Sequence, residues 1–440
     1  MKRLIRNKQM CVPTTILVRH RAWTRRQFIK SAATAAAGIV AAPNVITSAA
    51  LGAEGRAPAG ERIGVGVIGL GGRGQGVMGV FMEQPDVQVV AVCDVMGQRR
   101  RAGQHQVNRT YDNQDCAAYI DFLELLARQD IDAVLIATGD NWHSGASIMA
   151  ARAGKDIYCE KPMSVAITES RAVAETMRRL GRIYQCGTQR RSIGNFRFAV
   201  QLARSGKLGR LKEVHAEEAG GLQTGYETIL PAEPEPPREE FDWDRWLGPA
   251  PWRPYNKEYP TRGFWSAHWD FSGASITEWG SHTVDLCQWA NDADATGPVE
   301  FWREGDRFIG RYANGAKLVI RTGLRFGSCP VRFEGEEGWV ETGDSGELEV
   351  EPKSLLEERR FQGGYPPDNH VRAFLDCVKT RQQTISNADV AHRSISACHV
   401  ANICKRLGRP VKWDPVKEAC IDDEEANRLR SRAYREPWYL

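Results

Sequence analysis

The sequence predicts an α/β protein in two parts: an N-terminal doubly wound parallel sheet and a C-terminal α+β domain with a large mixed or antiparallel sheet. Three observations carry this. From Ile63 to residue 187, buried-strand runs alternate with helical periodicity, the pattern of parallel strands joined by crossover helices. The first run opens directly into a glycine-rich turn. From Leu211 onward that alternation gives way to short strands with turn signals between them. The expected division is residues 61–187 and 188–440, behind a leader at residues 1–50. With 440 residues and 42% hydrophobic content, the chain is long and apolar enough to build these cores, which excludes a disordered chain.

The leader explains the charge. Residues 1–50 hold nine Lys and Arg and no acid; without them, 50 basic residues face 55 acidic ones, a net charge of −5. The excess of cations is thus confined to the leader, and a nucleic-acid surface has no compositional support. Thr24-Arg25-Arg26-Gln27-Phe28-Ile29-Lys30 precedes an Ala-rich stretch, Ser31 to Ala42, too short for a membrane span. Ser48-Ala49-Ala50 offers small residues for cleavage. Paired arginines followed by Phe and Lys look like a twin-arginine export signal, with Met10 as an alternative start. The expected location is therefore periplasmic or otherwise exported, with the twin-arginine machinery as a partner; an uncleaved basic arm is the other reading. The cysteines form no C-x-x-C pair, which argues against a zinc site or a redox dithiol. Free buried thiols are expected.

The elements of the first domain follow in order. Ile63 to Ile68 is a buried strand that feeds Gly69-Leu70-Gly71-Gly72-Arg73-Gly74, and a helix follows through Val77 to Met82. Gly69 permits the tight turn, Gly71 lets the backbone approach a pyrophosphate, and Gly74 allows close helix–strand packing. Gly72 and Arg73 complete the phosphate-facing turn. A second strand, Val87 to Cys93, ends at Asp94, an acid placed to accept from the adenosine ribose and to favour NAD over NADP. Arg99, Arg100 and Arg101 nearby weaken that preference. Helical periodicity over Ala117 to Gln129, a strand from Ile131 to Thr138 and a helix from Ser144 to Ala153 come next. Then follow a strand at Ile157 to Cys159, a helix from Ile167 to Leu180 and a strand from Ile183 to Gly187. The strand tips at Asp94, Gly139 to His143, Glu160-Lys161-Pro162 and Gln189-Arg190-Arg191 converge on one crevice.

G-L-G-G-R-G, A-T-G-D-N-W-H, E-K-P and G-T-Q-R-R, in that order, resemble the Gfo/Idh/MocA oxidoreductase family. Phe241 to Pro251, Gly273 to Trp289 and Arg406-Leu407-Gly408-Arg409 agree, so the likeness covers nearly the whole chain from Ile63 onward. It implies an N-terminal Rossmann domain binding NAD. It also implies that Lys161 lies beside the nicotinamide and contacts the reacting hydroxyl, with Glu160 and Thr138 on the cofactor side. An ammonium there would stabilise a developing alkoxide. Glu278, His282 and Asp285 stand at i, i+4 and i+7, one helix face if Ile276 to Ala290 is helical. The resemblance makes His282 the acid/base and puts an acid four residues before it; Glu278 departs from the family's usual Asp. A metal-binding face and a plain polar face are the rival readings of the same three residues. His143, in the loop after Thr138, contacts nicotinamide or substrate in the family.

In the second domain, strands are expected at Glu213 to Ala219, Phe308 to Tyr312, Ala316 to Thr322, Val331 to Glu334, Gly338 to Glu341 and Glu347 to Glu351. Asn314-Gly315 is a hairpin signal. Late helices are expected at His370 to Thr380 and Val390 to Leu407. The resemblance implies a dimer or tetramer through the sheet's open face. Gln189 and Arg190 are candidates for the mouth, where a guanidinium suits an anionic sugar, although paired arginines also make ordinary ion pairs. Trp265, Trp269 and Trp279 are candidates for stacking on a sugar, against the alternative of core packing. Asp285 completes the expected substrate contacts.

Export bears on the chemistry, because NAD is not replenished outside the cytoplasm. The expectation is an exported oxidoreductase with tightly bound NAD acting on a carbohydrate or polyol. The alternatives are a glycosidase using transient oxidation and elimination, and a catalytically silent sugar-binding protein. No metal is expected.

Overall fold

The computed structural model describes residues 55–218, 227–358 and 369–439; the expected leader lies outside the described residues. Its first sheet has six strands: β1 (Ile63–Ile68), β2 (Val87–Cys93), β3 (Ala117–Tyr119), β4 (Ala133–Ile136), β5 (Asp156–Cys159) and β6 (Tyr184–Cys186). They lie in the order β3-β2-β1-β4-β5-β6, and every neighbouring pair is parallel. The order reverses between β1 and β4, which opens a crevice beyond the strand ends. Every residue of β1, β4 and β5 is buried, as expected of apolar runs covered by helices on both faces. Those helices are α1 (Gly72–Met82), α2 (Gly97–Tyr111), α3 (Phe122–Leu126), α4 (Asp140–Arg152) and α5 (Ile167–Leu180).

Three local differences from the sequence reading have physical causes. The helix expected over Ala117 to Gln129 is instead β3 followed by α3. Pairing with Ala91 to Cys93 holds Ala117 to Tyr119 extended, and the Asp121 side chain caps α3 by accepting from the Leu123 N–H. The arginine-rich α2 has no apolar stripe to announce it, yet Gly103 packs so closely that a Cβ there would lie 2.7 Å from the Leu70 side chain. Finally, α4 starts at Asp140 rather than Ser144, so His143 sits in its first turn and not in a loop.

The second sheet is mixed. Its strands are β7 (Leu211–Glu217), β8 (Glu300–Glu304), β9 (Arg307–Arg311), β10 (Lys317–Arg321), β11 (Val331–Gly335), β12 (Trp339–Thr342), β13 (Leu348–Glu351), β14 (Val411–Asp414) and β15 (Ala419–Cys420). The order is β13-β12-β11-β7-β10-β9-β8-β14-β15. β7 and β10 run parallel and the other pairs antiparallel. Gly315, at φ +90°, turns the β9–β10 hairpin. Ala219, the expected end of β7, lies outside the described residues.

The remaining helices that matter here are α6 (Gly194–Arg204), α7 (Trp243–Leu247), α8 (Arg262–Trp265), α9 (Ala274–Glu278), α10 (Gly280–Ala290), α11 (Asn369–Thr380) and α12 (Ala388–Leu407). One apolar core joins the inner face of the second sheet (Val214, Leu318, Phe333) to Leu286 of α10 and Val400 of α12. The chain then returns to the first sheet: Phe374 of α11 packs edge-on against Phe81 and Tyr158. Among the described residues no helix is long and apolar enough to cross a membrane. Their ten cysteines are free, and all but Cys377 are buried.

Candidate active site

The glycine turn between β1 and α1 is shaped by close approach. Gly69 has φ +91°, which favours glycine, and a Cβ on Gly74 would stand 2.1 Å from the Gly69 carbonyl oxygen. Gly72, by contrast, faces open space. The α1 N-cap is Gly71, which has no side chain to occupy the first N–H groups, so the helix terminus is free to bind an anion. These features fit a dinucleotide pyrophosphate. Asp94 is buried at the β2 tip, its two oxygens accepting from the Leu70 N–H at 2.7 Å and the Met96 N–H at 2.8 Å. Burial pushes its carboxyl up, and those two bonds pull it down. Asp94 thus also fixes the glycine turn.

A cavity of about 420 Å³ runs from this turn along the strand ends, a size suited to a small-molecule site. Gly69, Gly71, Gly72, Arg73 and Asp94 line it. So do Thr138, His143, Glu160, Lys161, Glu278 and Trp265. Gly74, Gln189, Arg190, Trp279, His282 and Asp285 are outside that wall. Arg99, expected near Asp94, is part of it, as are Asp140, Trp246 and Arg262, which were not singled out in the sequence. Trp246 is one of seven tryptophans between Trp243 and Trp289. It stacks on buried Trp243, 4.9 Å between centroids and 9° between planes.

Lys161 stands at the centre. Its Nζ donates to the Glu278 carbonyl at 2.9 Å and to Glu278 Oε2 at 3.3 Å, so the amine from the first domain is held by α9 of the second. Glu160, one residue earlier, points into the protein and accepts from Arg73 Nε at 2.9 Å and Gln189 Nε2 at 2.8 Å. Gly187 leaves it room: a Cβ there would stand 2.7 Å from the Glu160 carboxyl. Gln189 is therefore a support for Glu160.

His143 is buried, and its Nδ1–H donates to the Pro162 carbonyl at 2.6 Å. Nε2 is left as a lone pair without a partner. Burial pushes its pKa down, so the ring is neutral. His282 is also neutral: burial first, then the charges of Arg190 and Lys161, push it well below the usual histidine range. The Arg190 guanidinium donates to His282 Nε2 at 3.0 Å and is itself paired with Asp344.

The expected helix from Ile276 to Ala290 is interrupted at Trp279, between α9 and α10. Glu278, His282 and Asp285 each meet a different cation. Asp285 is buried against Arg191, which donates to its two oxygens at 2.7 and 2.9 Å, and Ser394 donates to it at 2.7 Å. This arrangement removes both the metal-face reading and the expected contact of Asp285 with substrate: its acceptor sites are spent on Arg191, away from the cavity. Likewise Trp269 packs under Arg406 rather than in the cavity wall.

A carboxylate–histidine group with metal-like spacing does occur among the described residues, at Glu213, His215 and Glu334 on the second sheet. Arg321 donates to His215 Nδ1 at 3.2 Å, which puts the ring proton on Nε2 between the two acids. Burial pushes the pKa of that ring down to about 4, so it is neutral between the two carboxylates.

The family-model comparison matches residues 63–188 to the oxidoreductase-family NAD-binding Rossmann fold and residues 200–440 to the oxidoreductase-family C-terminal alpha/beta domain, both Gfo/Idh/MocA. A 2,7-anhydro-N-acetylneuraminate hydratase of Mediterraneibacter gnavus is 26% identical over 160 residues, 36% of this chain and 40% of that one. A glycosyl hydrolase family 109 protein of Shewanella baltica is 30% identical over 173 residues, 35% of this chain and 37% of that one. The chain thus matches less than half the length of these curated relatives. The WlbA dehydrogenase of Bordetella pertussis, solved with NADH and UDP-GlcNAcA, shares the fold at a TM-score of 0.58 and 16% identity, over 80% of this chain and 99% of that one.

Proposed function

The chain belongs to the Gfo/Idh/MocA family of NAD-binding oxidoreductases, and from that premise we propose that it is an exported enzyme that keeps its NAD bound and oxidises a carbinol of a carbohydrate or polyol. The observation that carries the reading is Lys161: its ammonium lines a cavity that also holds the glycine turn, tethered there by Glu278. Bound NAD would supply the hydride acceptor. The Gly69 to Gly72 backbone and the α1 terminus would hold the pyrophosphate, and Asp94 the adenosine ribose, with Arg99 beside them. Lys161 stabilises the alkoxide that develops as the hydroxyl proton leaves, and Glu278, hydrogen-bonded to the same Nζ, takes the relayed proton. His282, with Nε2 occupied by Arg190, stands back from that transfer. Trp265 and Trp246 offer apolar faces to a sugar.

The leader makes the twin-arginine machinery a partner and the periplasm the site of action. Retention of NAD follows from that location, with electrons passed to a second sugar or returned to the first. A homodimer or homotetramer through the open face of the second sheet belongs to the same proposal. The likeness to a glycosyl hydrolase family 109 protein favours one second reading: transient oxidation, elimination of the leaving group, addition of water and return of the hydride.

One experiment separates these. The protein is purified from the exported fraction and denatured, and the released nucleotide is identified; absence of NAD(H) would sink the retained-cofactor reading. Incubation with sugars and glycosides in deuterated water then distinguishes the mechanisms. Elimination puts deuterium at C2 of the product, and plain oxidation does not.

A further inference from the structure

Asp140 opens α4 with its carboxyl on the cavity wall at only 1% exposure. Its Oδ2 has no hydrogen-bond partner. The polar side chains that act on it are Glu278, Lys161 and Ser272. Stripping a carboxylate of water without compensation costs several kcal/mol. Burial first, and the charge of Glu278 second, push Asp140 well above the usual carboxylate range. Adjacent carboxyls resolve such a conflict by sharing a proton. Lys161 decides which one keeps it. Its Nζ is hydrogen-bonded to Glu278 through the carbonyl and Oε2, so the negative charge is best satisfied on Glu278 and the proton belongs on Asp140.

We propose that Asp140 is a neutral carboxylic acid at working pH, and that the Asp140–Glu278 pair is the proton store beside Lys161. This rests on the carbinol-oxidising reading above. With bound NAD as the group that would accept the hydride, the substrate O–H proton passes to Lys161 while an Nζ proton passes to Glu278. The pair then holds two protons and no charge, and return of the hydride reverses each transfer. Asp140 is a positioning residue in this scheme, setting the charge on Glu278. The other titratable groups facing the pair are Arg262, 3.9 Å from Glu278 Oε2, the neutral ring of His143 one turn along α4, and the buried Cys159 thiol.

Infrared difference spectroscopy of the full-length protein, with no sugar added, reads this proton directly. Wild type is expected to show a protonated-carboxyl C=O stretch at neutral pH that is lost in Asp140→Asn. In Glu278→Gln the stretch persists but titrates away at lower pH, because the neighbouring charge is gone. A wild-type spectrum without the band, or a band of undiminished intensity in Asp140→Asn, overturns the proposal. Should Asp140→Asn fail to fold, an unshifted titration in Glu278→Gln overturns it instead. These readouts need no turnover, so they stand apart from the fate of the sugar-oxidation reading. With an oxidisable sugar in hand, Asp140→Asn should abolish the alkaline limb of the pH profile, and Asp140→Glu should partly restore it. An unchanged profile would refute the role.

Discussion

Asp285→Ala asks whether that carboxylate holds the fold or the substrate. The side chains of Arg191 and Asp285 are 0% and 1% exposed, and the guanidinium grips both carboxylate oxygens. On its other edge Arg191 donates to Asp294 at 2.7 and 3.0 Å, and Asp294 remains 29% exposed. Removing one partner of a buried pair costs about 3–5 kcal/mol. Because Asp294 still answers Arg191 in the variant, the lower end applies, about 3 kcal/mol. Ser394 loses its acceptor, which adds about 1 kcal/mol. At roughly 2 °C per kcal/mol for a large chain, the expected fall in Tm is about 8 °C, read by calorimetry on the full-length protein. Arg191→Ala, which strands two carboxylates, should fall further. The KM for an oxidised sugar should stay within about twofold, since Asp285 does not line the cavity. A Tm within about 1 °C of wild type together with a KM raised about tenfold, or 1.4 kcal/mol, would show that the carboxylate binds substrate and would refute the structural assignment.

Lys161→Met is expected to keep its nucleotide and lose about 1,000-fold in kcat; full activity in that variant would refute the role given to the ammonium. Gly74→Ala places a Cβ 2.1 Å from the Gly69 carbonyl oxygen, so the turn must open; the purified variant should release little or no NAD on denaturation, and stoichiometric NAD would contradict the cradle. Arg190→Met removes the charge 3.0 Å from His282 Nε2, and NMR titration should find that ring protonating at higher pH than in wild type. Stability should fall in acid. Burial pushes His370 down to about 4 from an ordinary 6.5, so between those values the unfolded chain binds a proton that the folded one refuses. The loss runs at about 1.4 kcal/mol per pH unit, and His370→Asn should flatten that part of the urea-midpoint profile.

What was legible in the sequence followed local signals. β1, β2 and α5 begin and end where the apolar runs and glycines place them, because fully covered strands need continuous apolar residues and an amphipathic helix shows its stripe. Asp140-Asn141-Trp142-His143 reads as a polar loop, yet it is the buried first turn of α4. Its partners come from far along the chain: Asn141 donates to the Leu247 carbonyl, Trp142 to the Arg245 carbonyl and His143 to the Pro162 carbonyl. A Cβ on Gly248 would strike the Trp142 ring at 2.2 Å, so the Phe241 to Pro251 segment is a dock for that turn. No local pattern announces such a contact. The same limit divided Arg190 from Arg191. Adjacent and alike in sequence, one faces His282 and the other is sealed against Asp285. The carboxyl of Asp140 was visible within A-T-G-D-N-W-H, but its significance lies in a neighbour 138 positions away, Glu278.

Glu160 and Lys161 show how a strand end serves both sides of a site. Successive side chains leave an extended backbone in opposite directions. At the tip of β5 that alternation turns the Glu160 carboxylate to Arg73 and Gln189 and the Lys161 amine to Glu278, and both residues line the cavity. Arg73 lies in the first turn of α1, so the inward carboxylate ties the phosphate-binding turn to the strand that carries the amine. Lys161 then reaches across to the carbonyl and carboxylate of Glu278 on α9, in the other domain. The Lys161 amine is therefore tied to three elements, β5 that carries it, α9 that binds it and α1 through Glu160 and Arg73. A displacement of about 1 Å at a reacting group can cost about 100-fold in rate. On that scale Glu160, buried where Gly187 leaves it room, contributes to the rate through the position it gives the neighbouring lysine.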